Sequence, residues 1–346
     1  MKINHSKPYF DDSDKNAVIS LINSHFSACG PMSEKLGFTA AEFMSKKYGI
    51  AVQSGTDALT SALSVLGLKQ GARIALPAYI CSAPLDAVAL CGFKPVPVDI
   101  DLDTFAISAE LLEKEKDIDA VIGAHLFGIP ANLQKITHEN FIEDCAQTLC
   151  TAKNGRKVGA TGRISITSFY STKLVAAGHG GVVAVNEKDL YNALLSSMNH
   201  DKNETWKPHF HFLMSDLNAA LGLAQCAKID FMIERRRTIA GRFAAALDCK
   251  LPDNNSVYSR FLVTAECGID KGMELFQEAG IEAKRPVYKP LFHYLNLPPS
   301  SFQNAQWAHD NIISVPIYPA LTETEVEYIE NFLEKHKNVY RCRPSA

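Results

Sequence analysis

A chain of 346 residues, 47% hydrophobic and 21% charged, is composed like a soluble globular protein and is long enough for one large domain with a smaller companion. A formal charge of −3 and a pI near 6.4 supply no broad basic field, which argues against nucleic acid and anionic membranes as partners and leaves small-molecule chemistry. No apolar run approaches the roughly 18 residues of a membrane span, and the polar start MKINHSKPYFDDSD has no signal-peptide core, so a cytoplasmic protein is expected.

In chain order, residues 11–24 read as a helix, with Val18, Ile19, Leu21 and Ile22 following an acidic first turn. A second helix is expected near 34–48. In AVQSGTDALTSALSVLGL an apolar lead ends in Ser54, Gly55 and Thr56, and a helix starts at Asp57 or Ala58. A glycine beside small hydroxyl residues at a helix start leaves N–H groups free, and the helix dipole favours an anion there; an ordinary N-cap carries the same signal. From Arg73 to Gln147 strand and helix alternate: RIALPAY, SAPLDAVALCG, KPVPVDID, ISAELLEKEK, then the strands DAVIGAHLFG and FIEDCAQ. Such alternation predicts a mostly parallel sheet covered by helices, with ligands at the carboxyl ends of the strands.

The strand RISITSFY leads into SFYSTKLVAAGHGG, residues 168–181, which sets Lys173 just before a glycine-rich turn. A lysine there can be held against a carbonyl cofactor while the backbone stays open, and the reading drawn is a Schiff base with pyridoxal 5'-phosphate. Asp144, one strand earlier, would hold a pyridinium nitrogen protonated and so keep the ring an electron sink; an aspartate at a strand tip also suits a turn or an N-cap. No GxGxxG follows a strand, which argues against a nucleotide dehydrogenase.

Beyond the turn come the strand GGVVAVN, the helix DLYNALLSSMNH, an aromatic and histidine-rich loop over 201–212, and the helices MSDLNAALGLAQCAKID and DFMIERRRTIAGRFAAAL. The triplet Arg235, Arg236 and Arg237 reads most simply as a solvated helix face, with a phosphate clamp as the alternative. RFLVTAE is then a strand, KGMELFQEAG a helix, RPVYKPLFHY a proline-spaced loop, and LTETEVEYIENFLEKH a closing helix with Thr322 and Glu325 spaced as a capping box. The expected division is a large domain over 1–235 and a small α/β domain over 236–346. Nine cysteines without a CxxC pair suggest neither a disulfide framework nor a metal site, and Cys91 and Cys226 read as small buried hydrophobes.

SGTDAL, PVDIDLDTFAIS, HLFGIPANL, FIEDCAQ, SFYSTK, GHGG and MSDLNAALGLAQ occur here in an order that resembles the sugar aminotransferases of the DegT/DnrJ/EryC1/StrS family. The resemblance implies an α/β fold of the aspartate-aminotransferase type, with a mainly parallel central sheet in the large domain. It implies Lys173 as the Schiff-base lysine, Asp144 as partner of the pyridine nitrogen, Gln147 beside the ring, and Gly55, Thr56 and Ser168 as phosphate cradle. It also implies a homodimer with shared active sites. The family's NYR before the MSDLQAA helix, whose asparagine reaches the partner subunit's phosphate, is replaced by His211, Phe212 and Leu213; His211 could still donate a hydrogen bond to that phosphate, and an ordinary loop histidine reads the same way. Cys81 stands where the family often has a ring-stacking aromatic, with Tyr79 nearby, and Arg285 where it has a histidine, in the region facing the sugar nucleotide; Cys81 and Arg285 are the candidate substrate residues. Because the family's dehydratase branch carries histidine in place of Lys173, transamination is implied. An amino acid such as glutamate would give its amino group to a keto-sugar, nucleotide-linked, in cell-surface polysaccharide or secondary-metabolite sugar biosynthesis. The alternatives are a pyridoxal-phosphate reaction on a cyclitol or other ketone, and a cofactor-binding regulatory protein without turnover.

Overall fold

The computed structural model describes residues 1–198, 208–251 and 255–342. Helices α1 (Asp12–Asn23) and α2 (Pro31–Phe43) precede β1 (Tyr48–Val52) and α3 (Gly55–Ser64). Then follow β2 (Arg73–Pro77), α4 (Ala83–Leu90), β3 (Lys94–Val98), the single turn α5 (Ala109–Leu112), β4 (Ala120–Ala124) and β5 (Phe141–Asp144). A short hairpin, β6 (Ala152–Lys153) and β7 (Arg156–Lys157), leads to β8 (Ile164–Ser168), β9 (Gly181–Val185) and α6 (Lys188–Met198). After α7 (Asp216–Cys226) and α8 (Ile229–Ala246) come β10 (Phe261–Ala265), α9 (Ile269–Glu278), α10 (Leu291–Tyr294), α11 (Gln303–Asn311), β11 (Ile312–Val315), α12 (Glu323–Lys335) and β12 (Tyr340–Cys342).

Seven strands form the main sheet in the order β1-β9-β8-β5-β4-β2-β3. Every pairing from β8 to β3 is parallel, whereas β9 runs antiparallel to both β1 and β8. β4, β8 and β9 are buried along their whole length, as strands covered on both faces by helices must be. A second sheet, β11-β10-β12, is antiparallel and has its own apolar core, built by Ile239, Phe243, Val263, Phe276, Ile329, Tyr340 and others. The amino-terminal segment joins that core: Ile3 is fully buried, its N–H donates to the Gly280 carbonyl at 2.9 Å, and its own carbonyl accepts from the Glu282 N–H at 2.9 Å.

Two caps lock the large unit. The buried Asp216 carboxylate accepts from the N–H groups of Gly30 (2.9 Å), Met32 (3.1 Å) and Ser33 (2.8 Å), so α7 supplies the acceptor for the first turn of α2. The buried Glu143 carboxylate accepts from Gly159, Thr161 and Gly162 N–H groups, each at 2.7 Å, and lies 2.9 Å from His125 Nε2. Burial pushes Glu143 up, but His125 and these backbone donors outweigh it and hold the carboxyl below its usual range.

Several expectations change. The second helix stops at Phe43; residues 44–47 form a turn, and β1 begins at Tyr48. The helix predicted over ISAELLEKEK is a single turn, and α10 forms inside the proline-spaced loop. The expected capping box at Thr322 and Glu325 is present. The arginine triplet is not a solvated face: Arg236 is buried, Arg237 donates to the Ser256 carbonyl at 3.1 Å, and Arg235 pairs with Glu323 at 2.7 Å. Cys249 and Cys342 are joined in a disulfide, against the expectation from an odd cysteine count, while Cys226 is buried and Cys91 half-buried as free thiols. The tail of the helix predicted to His200, and most of the 201–212 loop, lie outside the described residues.

Candidate active site

The sheet's directions bring the predicted residues to one edge. β5 ends at Asp144 and β8, parallel to it, ends at Ser168. Because β9 is antiparallel to both neighbours, its first residue, Gly181, pairs with Ser168 on one side and with Val52, the last residue of β1, on the other. The chain leaving β1 therefore enters α3 directly above that pair. Ser54 caps α3 by accepting from the Asp57 N–H at 3.0 Å, and the N–H groups of Gly55 and Thr56 belong to the first turn, which has no intrahelical acceptors. A Cβ on Gly55 would lie 2.8 Å from Ser168 Cβ and 3.1 Å from its Oγ, and one on Gly181 would lie 2.5 Å from the Ser54 carbonyl oxygen. The closeness of Gly55 to the Ser168 hydroxyl makes a concave, N–H-lined cradle suited to an anion.

Lys173 is held over this edge by its own loop. Its N–H donates to the Tyr170 carbonyl at 2.8 Å, Phe169 N–H donates to Gly180 at 2.8 Å, and Ser171 N–H donates to Gly178 at 3.1 Å. Gly178 and Gly180 have φ of 78° and 154°, a turn that side chains would oppose, and Asn218 of α7 fixes it by donating to the Ala177 carbonyl at 2.7 Å. These hydrogen bonds hold the backbone in place around Lys173. Lys173 as a whole is half-buried, yet its amine is desolvated: burial lowers it, Cys81 and Asp144 oppose that, and Arg260 adds to it. Asp144 is 7% exposed, and burial raises its carboxyl against the pull of the Ala146 N–H and of Lys173. Ala146 donates to Oδ1 at 2.8 Å, which leaves Oδ2 for a further donor.

Gln147 is half-buried, and its Oε1 accepts from the Phe127 N–H at 3.0 Å. Cys81 is exposed as a residue, but its thiol is desolvated, which raises it, and Lys173 draws it down; the two side chains share one site. Tyr79 does not: it is fully buried against Phe105 and Phe127, with its hydroxyl on the Ala308 carbonyl. His211 is exposed beside β1, its carbonyl accepting from Gln53 Nε2 at 2.8 Å. The Arg285 guanidinium is engaged by the His309 carbonyl and by Asp270 at 3.0 Å, apart from the Lys173 group. Sequence reasoning missed Arg260, whose charge reaches Lys173; a single arginine ahead of a strand carries no motif.

The residues present fit pyridoxal phosphate: a desolvated amine, a buried carboxylate with one oxygen open, and an anion cradle closed to any added Cβ. The chain is similar to GDP-perosamine synthase from Vibrio cholerae, 27% identical over 366 residues that cover 97% of this chain and 98% of the relative. A DegT DnrJ EryC1 StrS aminotransferase from Brucella abortus is 26% identical, with a TM-score of 0.86 over 94% of this chain and 95% of that one. PseC of Helicobacter pylori, an aminotransferase of pseudoaminic acid biosynthesis, shares the fold with a TM-score of 0.89 at 22% identity, over 98% of this chain and 100% of its own. Residues 8–334 match throughout, and the chain belongs to the DegT/DnrJ/EryC1/StrS aminotransferase family.

Proposed function

We propose that the protein is a pyridoxal-phosphate-dependent transaminase that moves an amino group from an amino acid, glutamate in the first instance, to a nucleotide-linked keto-sugar. The observation that carries this is the convergence of Lys173, Asp144 and the Gly55–Ser168 cradle on one strand edge. Family membership supports the reaction type, and the Vibrio cholerae relative, with its GDP-linked product, supports the acceptor class.

Pyridoxal phosphate, when bound, supplies a protonated pyridine ring that draws electrons from the carbon bearing the amino group. Asp144 would hold that ring through Oδ2, the oxygen Ala146 leaves open, and Gly55, Thr56 and Ser168 would hold the phosphate. Gln147 would lie beside the ring, and Lys173 would attach the cofactor. Burial lets Lys173 Nζ stand unprotonated more readily than a free lysine, so it can take a proton from the amino-bearing carbon and return it across the site. Cys81, sharing the site with Lys173, meets the sugar side of the cleft, with Arg285 further out.

A homodimer completes the reading, with His211 serving the partner subunit's phosphate. Its support is the set of exposed apolar side chains Ile19, Ile22, Phe38 and Leu217, carried on α1, α2 and α7, which pack on one another. No helix among the described residues is long and apolar enough to cross a membrane, which agrees with work in the cytoplasm.

Purified protein given pyridoxal phosphate should absorb visible light, and borohydride should fix the cofactor on Lys173, read by peptide mass. Asp144→Asn should keep the cofactor and lose roughly a hundredfold or more of turnover. A protein that stays colourless, or an Asp144→Asn variant as fast as wild type, overturns the assignment.

A further inference from the structure

Two acids stand side by side at the end of β5, and the reaction proposed for this site uses only Asp144. Neighbours on a strand face opposite ways, so Glu143 turns to the other side of the sheet. Its buried carboxylate receives four donors. Oε1 accepts from the Gly159 N–H at 2.7 Å and lies 2.9 Å from His125 Nε2, while Oε2 accepts from the N–H groups of Thr161 and Gly162, each at 2.7 Å. The other ring nitrogen of His125, Nδ1, accepts from the Ala131 N–H at 2.9 Å, so the hydrogen bonds assign the ring proton to Nε2, from where it is given to Glu143.

The backbone that carries this imidazole holds the site residues. The His125 N–H donates to the Asp144 carbonyl at 3.0 Å, the His125 carbonyl accepts from Thr148 Oγ1 at 3.0 Å, and the Phe127 N–H donates to Gln147 Oε1 at 3.0 Å. On the other side, Ser165 of β8 pairs with Glu143 in the sheet and donates its hydroxyl to the Gly159 carbonyl at 2.7 Å, so the loop that Glu143 grips is fixed to the strand that ends at Ser168. One carboxylate thus joins the chain leaving β4, the end of β5 and the entry to β8. Only a carboxylate has acceptor positions for four donors, so the charge is what lets a single side chain make this junction.

We propose that Glu143 and His125 are positioning residues for the reaction: from the far face of the sheet they fix the turn 144–147 and so set where Asp144 and Gln147 meet the cofactor. For what those two residues meet, the inference rests on the transaminase reading. Removing the imidazole separates this role from the support of the fold. In His125→Ala the loop keeps its three N–H bonds to Glu143 and the Lys46 ammonium on the Gly162 carbonyl, and what is lost is the link from Glu143 to residues 125–127.

The test is a double-mutant cycle with Asp144. In protein loaded with pyridoxal phosphate, His125→Ala should slow the limiting rate of the L-glutamate half-reaction, read by loss of visible absorption, roughly ten- to a hundredfold, with half-saturation changed by less than about threefold. Cofactor retention in equilibrium dialysis should weaken by about tenfold, and His125→Gln, which keeps a donor toward Glu143, should recover part of both. In an Asp144→Asn background His125→Ala should remove little more, because its effect passes through Asp144. A wild-type rate in His125→Ala, or the same fold-loss in both backgrounds, overturns the proposal. In cofactor-free protein carrying 13C-labelled aspartate, the Asp144 carboxyl, identified by its absence from Asp144→Asn, titrates above the ordinary aspartate range because it is buried, and His125→Ala should bring it back toward that range; an unchanged titration also overturns the proposal. Protein that takes up no pyridoxal phosphate overturns the transaminase reading instead, and the carboxyl titration then still decides whether His125 and Glu143 set Asp144.

Discussion

Lys173 shows how burial and chemistry are linked at the scale of one side chain. Burial lowers its amine, so the unfolded chain binds more protons there than the folded one. Its charged form therefore costs stability in full below the folded pKa, and the cost vanishes above the unfolded value of about 10.4. Lys173→Met should stabilise the cofactor-free protein near neutral pH by a margin that shrinks as pH rises to about 10.4, as read from urea midpoints at the two pH values; an equal gap at both would mean that packing, not charge, sets the difference. Lys173, Asp144 and Ser168 were legible in the sequence because each ends or follows a strand and sits within a compact motif. Arg236 and Arg260 were not. Three successive arginines on a helix look solvated, and the carbonyls that bury Arg236 belong to residues 258 and 317, which no local pattern connects to it.

At the scale of elements, the alternation from Arg73 to Gln147 gave the parallel half of the sheet, since buried strands and amphipathic helices differ in period. β1 was hidden because five residues, YGIAV, run almost directly into the SGTDA helix start, and β11 and β12 because strands of four and three residues carry too little pattern to separate from turns. The Asp216 cap was also invisible, since its donors lie more than 180 residues away in sequence. It is a place where one carboxylate joins two helices. Asp216→Ala should cost about 2–3 kcal/mol in denaturant unfolding, with Asp216→Asn losing less because it keeps an acceptor; a change under about 0.5 kcal/mol would show that water replaces the cap.

Across the whole molecule, two cores are spanned by α8, whose first half packs on the large sheet's side and whose second half, from Ile239, enters the second core. We propose the domain division at 235/236, within that helix. The Cys249–Cys342 bond closes a loop with a sequence separation of 93 around most of the second core. Cys342→Ser should therefore lower unfolding stability by up to about 4.5 kcal/mol relative to the oxidised protein and match wild type in reductant; an oxidised wild type no more stable than the variant would remove that role. The amino-terminal segment sets a further condition, on the order in which the fold can be completed. Among the described residues, Ile3 is bonded to Gly280 and Glu282, and His5 to Glu282 and Ser314. Tyr9, a few residues on, lines a small cavity with Lys173, Arg236 and Arg260. These partners lie some 277 positions further along the chain, so the wall beside Lys173 closes only once both ends of that span are in place.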